Sequence, residues 1–197
     1  MVLMSGRKEQ KTKHEMIEMP PDIGAPHQES RIIFLTGYVE EPLIKAVMER
    51  IFVLAEQDVL KPINLIVNTY GGSVHEAFAL YDTMKIVAPM PIHTIGLGKI
   101  MSAGCLLLAA GAKGHRYMGK NAVLMYHAGV EFSAGDVFQQ EVNLAEFKRT
   151  ERQYDELFAK ETKKTLKQVE ALYKPDRKDN YMTAQQCLNF GIVDKLI

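Results

Sequence analysis

INLIVNTYGGSVHEAFALYDTMKIV, residues 63–87, holds one complete structural step. Its opening run, 63–68, is mostly apolar and β-branched and reads as a buried strand. Residues 69–72 supply a turn, because adjacent glycines reach backbone conformations closed to other residues. Ser73 followed three positions later by Glu76 is the capping-box pattern, in which each side chain takes a backbone N–H of the other's residue. The spacing predicts a helix over 73–87. A strand, a glycine turn and a capped helix make the repeating unit of an α/β sheet.

Outward from this stretch the same step recurs. Upstream, 31–39 (RIIFLTGYV) reads as a strand. The helix that follows, 40–58, has Pro42 in its first turn and Leu43, Val47, Ile51 and Leu54 at helical spacing. Downstream, a strand is expected over 92–98, a helix over 102–112 and a strand over 122–127. A long amphipathic helix over 137–161 and a shorter one over 165–173 come next. Thr183 with Gln186 repeats the capping pattern, Gly191 supplies a helix stop, and 192–197 forms a last strand. Strands this apolar imply a sheet covered on both faces. Residues 1–30 are polar, broken by MPPDIGAP, and read as an N-terminal arm, leaving 31–197 as the folded domain.

Composition narrows the function. The 197 residues include 24 Lys plus Arg and 24 Asp plus Glu, a balance that points to neither nucleic acid nor a membrane surface. No apolar run approaches the roughly 20 residues of a membrane span. The start, MVLMSGRKEQKTKHE, lacks the apolar core of a secretory signal. Cys105 and Cys187 are too few for a disulfide framework and have no metal-ligand spacing. A cytoplasmic protein without a metal or other cofactor is expected.

Chemistry concentrates where strands hand over to helices, as it does throughout open α/β sheets. GKIMSAG, 98–104, places one hydroxyl, Ser102, at such a junction. A phosphate-binding P-loop does not fit, since Gly98-Lys99 is followed by isoleucine. The hydrolase elbow Gly-x-Ser-x-Gly fits on one side only, because Ile100 stands where the first glycine belongs. A serine at a helix start is either a cap or a nucleophile beside the helix's positive end. Of the six histidines, His127 ends the apolar strand AVLMYH and is followed by Ala128-Gly129, which leaves room around the ring. It is a general base or an exposed strand-end residue. The Gly71-Gly72 turn is a second place where backbone amides stand unshielded.

Taken in order, RIIFL, GGSVHEAFALYDTMKIV, GKIMSAGCLLLAAGAKGHRYM, AVLMYH and MTAQQCLNFGIVDKLI resemble the blocks of the Clp protease proteolytic subunit family, ClpP, from about residue 31 to the C-terminus. The resemblance implies a crotonase-like α/β fold of repeated β-β-α and β-α units, with 137–161 as a protruding handle helix. It also implies Ser102 as nucleophile, His127 as general base and Asp179, in DNYMTA, as the third triad member, with Asp176 as the alternative. Gly72 and Ala103 would supply oxyanion-hole amides. The function implied is an ATP-dependent serine endopeptidase that cleaves unfolded polypeptides inside a chamber. Family subunits form heptameric rings stacked as a tetradecamer and receive substrate from a hexameric AAA+ unfoldase, which is where the ATP is used. Other readings of the same blocks are a catalytically silent ring subunit, a phage-type head-maturation protease and a crotonase-fold acyl-CoA enzyme. Against the family pattern, this chain has Thr69-Tyr70 for Ser-Pro, AGVEFSAG after the histidine for a Gln-Pro step, and Lys178 for an arginine.

Overall fold

The computed structural model describes residues 31–174 and 178–197, so the 1–30 arm and Asp176 lie outside the described residues. The first half of the domain follows the expected alternation. Strand β1 (Ile32–Val39) leads into helix α1 (Glu41–Gln57), with a proline in its first turn. Strand β2 (Ile63–Gly72) leads into α2 (Val74–Ile86), where the Ser73 side chain accepts the N–H of Glu76 at 3.3 Å. Strand β3 (Ile92–Met101) leads into α3 (Ala103–Ala109), every residue of which is buried. Then come β4 (Arg116–Met118), β5 (Val123–Tyr126), the long α4 (Val137–Thr162), α5 (Leu166–Glu170), β6 (Asn180–Thr183), α6 (Ala184–Phe190) and β7 (Lys195–Leu196).

The strands form one mixed sheet in the order β1-β2-β3-β4-β7, parallel along this path. Its useful irregularity is at β3. The first half of that strand, Thr94–Gly96, pairs with β4, whereas the second half, Lys99–Met101, pairs with β5. Strand β6 then adds antiparallel to β5. The fork therefore sets the ends of β3 and β5 and the start of β6 side by side. Ser102, His127 and Asp179 stand next to those three strand ends.

Three expectations need correction. Residues 69–72 are not a free turn: β2 runs through them, and the glycines absorb the distortion with φ of 93° at Gly71 and 150° at Gly72. Similarly, β3 continues past Gly98 (φ 67°) to Met101. In each case a glycine in the left-handed region bends a strand without ending it. The sheet is also not covered on both faces by the described residues. Leu35, Leu65 and Val67 are fully buried beneath the helices, but on the other face of β1 Ile32 is 41% exposed and Phe34 60%. An apolar strand pattern reports burial in whatever assembly the protein adopts, not only in one chain.

Core packing pins the long helix onto the site. Phe158 of α4 is fully buried and its ring lies 4.7 Å from that of Tyr126 on β5. Arg116 on β4 donates to both carboxylate oxygens of Asp194, at 2.9 and 2.6 Å, and so anchors the C-terminal strand. Among the described residues no helix is long and apolar enough to cross a membrane.

Candidate active site

Ser102 stands between β3 and α3 with φ 52° and ψ −124°, a region that L-residues rarely occupy. Such a backbone costs of order 1–3 kcal/mol and persists only where its surroundings enforce it. Here the enforcement is visible. The Ser102 N–H donates to the Met125 carbonyl at 2.8 Å, and the Ser102 carbonyl accepts from the Tyr154 hydroxyl at 2.8 Å and from the Cys105 N–H at 2.9 Å. Although Ser102 is the N-cap residue of α3, its side chain makes no capping bond. The hydroxyl is instead 2.8 Å from Nε2 of His127. Of the two roles open for this serine, the cap is the one the geometry leaves unfilled. Its strained strand-to-helix turn is of the kind that presents a nucleophile, made here without the glycine that the elbow motif places two residues earlier.

His127 follows the last residue of β5, and the β3–β5 pairing of Met101 with Met125 brings the two strand ends together. In the β5–β6 ladder Tyr126 pairs with Asn180. The ladder ends there, and the next residue beyond it on each chain segment is His127 on one side and Asp179 on the other. Among the described residues Ser102 is the only side chain hydrogen-bonded to His127, and Asp179 is exposed. Asp179 therefore stands one residue beyond the paired strands, near His127 in the chain order of the ladder but with no hydrogen bond to it among the described residues.

The glycine turn lies against the serine. A Cβ built on Gly71 would stand 2.5 Å from Ser102 Cβ, 2.8 Å from the Met101 carbonyl oxygen and 3.1 Å from the Ala103 nitrogen. Gly72 has no more room, since a Cβ there would meet the Val39 backbone. Ala103 is the first residue of α3, so its N–H has no acceptor within the helix. Gly72, Ser102, Ala103 and His127 all line one cavity of about 570 Å³. The far wall comes from α4, through Phe147, Thr150 and Tyr154 among others. Four carboxylates, those of Glu131, Glu146, Glu151 and Asp155, also line it, and among the described residues no lysine or arginine does.

Sequence reading missed the contribution of α4. Tyr154 holds the Ser102 carbonyl, and Asp155 is buried beside it, accepting hydrogen bonds from Tyr126 and Tyr173 at 2.6 Å each. Burial pushes the Asp155 carboxyl above the ordinary range, against the pull of those two donors. Its signal in the sequence was a carboxylate in phase with Phe158 and Thr162, on the stripe of α4 that turns inward.

A serine held on a strained turn, hydrogen-bonded to a histidine at the end of the adjacent strand and opening on a cleft, defines the serine-type hydrolases. The Clp protease family model matches residues 21–197, beginning upstream of the expected position near 31. The chain is also 38% identical, over 170 residues, to the ATP-dependent Clp protease proteolytic subunit 1 of Corynebacterium jeikeium (strain K411), an alignment that covers 85% of this chain and 87% of the relative. This chain belongs to the Clp protease family and is a serine-type peptidase.

Proposed function

We propose that the protein is a subunit of a self-compartmentalising endopeptidase that cleaves unfolded polypeptides through Ser102, His127 and Asp179. The observation that carries this reading is the 2.8 Å contact between Ser102 Oγ and His127 Nε2. His127 takes the hydroxyl proton as Oγ attacks a peptide carbonyl, and the tetrahedral oxyanion accepts the N–H groups of Gly72 and Ala103. Collapse of that intermediate expels the amine, which receives its proton from His127. Water then hydrolyses the acyl-enzyme by the same steps in reverse order of partners. Asp179 takes the second ring N–H of His127, fixes its tautomer and stabilises the imidazolium.

Assembly follows from the surfaces. The exposed apolar face of β1, with Ile32 and Phe34, suits burial against a neighbouring subunit in a heptameric ring. The first half of α4 exposes Val137, Phe138, Val142 and Leu144, which suits the contact between two stacked rings of a tetradecamer. A closed chamber admits only unfolded chains, delivered by a hexameric AAA+ unfoldase that hydrolyses the ATP. The two buried cysteines, both unpaired, are in keeping with a cytoplasmic setting. Peptidase assays on size-separated oligomers of wild type and Ser102→Ala test the reading. Cleavage confined to the large wild-type assembly is expected, and equal cleavage by both proteins would overturn it.

A further inference from the structure

Two adjacent residues of α4 are hydrogen-bonded to Ser102 and to two tyrosines, one preceding His127 and one on the segment bonded to Asn180. Tyr154 donates to the Ser102 carbonyl and accepts the Leu106 N–H at 3.3 Å, which fixes the turn that carries the serine. Asp155, 3% exposed, accepts from the Tyr126 hydroxyl on Oδ1 and from the Tyr173 hydroxyl on Oδ2. Tyr126 immediately precedes His127. Tyr173 begins the connection toward Asp179, and its neighbour Leu172 accepts the side-chain amide of Asn180 at 2.8 Å. One buried carboxylate therefore ties the strand that ends at the base to the segment that holds the acid.

We infer that Asp155 is a positioning residue of the peptidase: through Tyr126 and Tyr173 it sets the base and the acid in register so that Asp179 can engage His127. The inference rests on the triad proposed above. Packing alone does not call for a carboxylate here. The Tyr126 ring already lies 4.7 Å from Phe158 and 6.0 Å from Tyr173, contacts that an apolar residue at 155 would keep. Burying a carboxylate whose hydrogen-bond partners among the described residues are two hydroxyls costs free energy that an apolar replacement of similar volume avoids. What such a replacement cannot do is fix two hydroxyls, and hence two chain segments, at opposite ends of one rigid planar group.

The test uses the full-length assembled protein and the variants Tyr173→Phe, Tyr126→Phe and Asp155→Asn, with Tyr173→Phe also made in an Asp179→Ala background. Four quantities are read: kcat and KM on a fluorogenic peptide, the rate at which a fluorophosphonate labels Ser102, and oligomer size. Tyr173→Phe should lower kcat by about 10- to 100-fold with KM within about twofold, and labelling should slow in step. In the Asp179→Ala background the same change should alter the labelling rate by less than about twofold, because the group being positioned is gone. Unchanged kcat in Tyr173→Phe and Asp155→Asn, or an equal loss with and without Asp179, overturns the inference. Should Asp155→Asn fail to assemble, the two phenylalanine variants decide, since they keep both rings. The triad reading is judged separately, by labelling of wild-type Ser102.

Discussion

Asp155 and Glu161 are both buried carboxylates of α4, 3% and 4% exposed, yet their surroundings are opposite. Glu161 accepts from Lys85 at 2.8 Å, from Lys113 at 2.6 Å and from the Tyr81 hydroxyl at 2.8 Å. Asp155 is hydrogen-bonded by two tyrosines. Burial pushes both carboxyls up. At Glu161 the lysine and tyrosine donors outweigh it and hold the group below the ordinary range, whereas at Asp155 the hydroxyls do not. The difference teaches what two positions six residues apart in the C-terminal part of α4 are for. Lys85 and Lys113 are 40% and 45% exposed in their side chains, so ionic anchoring there leaves the cations partly hydrated. If His127 is the base, as proposed above, a lysine near it would oppose an imidazolium, and a tyrosine-held carboxylate orients without that penalty.

The comparison can be broken at several points. Ser102→Ala has the largest expected effect, a loss of about 10⁶-fold in kcat, with thermal stability unchanged because neither carboxylate network includes the hydroxyl. Gly71→Ala comes next. Its Cβ would press on Ser102 at a φ of 93°, and a loss of about 10²-fold in kcat is expected. Gly37→Ala is its control: the φ is 107° but nothing lies within 4 Å, so strain should lower stability and leave kcat alone. In the last turn of α4, Glu161→Gln should lower unfolding free energy by about 1–3 kcal/mol and leave kcat and KM as in wild type. Chemical denaturation with peptidase assays checks that separation.

Acid titration gives the smallest and most specific contrast. The folded Glu161 carboxyl lies below its usual 4.5, so its stabilisation is complete above that pH and is lost as pH falls through the folded value. For Asp155 the sign reverses. Its folded carboxyl lies above the usual 3.8, so ionisation weakens the fold as pH rises from there. Denaturation midpoints of Glu161→Gln and Asp155→Asn across about pH 3 to 7 should therefore lose slopes of opposite sign.

Much of this architecture was legible in the residues because its signals are local. Strand-forming runs, Pro42 in a first turn, the Ser73 and Thr183 caps and the Gly191 stop each act within a few positions, and the structure has all of them. Strands β4 and β6 were not legible. With Arg116–Met118 and Asn180–Thr183 so short, they are strands only because β3 and β5 offer them an edge. Ser102 and His127 could be nominated from strand ends, but their contact depends on the fork of β3, which no periodicity encodes. Asp155, Tyr126 and Tyr173 were harder still. Each sits in a segment whose apolar pattern accounts for its burial, and only the fold brings the three polar tips together. Half-covered β1 shows the converse, with apolar residues written for a surface that the described residues do not bury.

The central claim is that His127 activates Ser102 as a nucleophile, and fluorophosphonate labelling with mass-spectrometric mapping tests it most directly. The assembled wild-type protein should carry one adduct, on Ser102, and His127→Ala should lose it while keeping its oligomeric size. No adduct on the wild type, or one on Ser102 that forms equally fast without His127, would contradict the claim.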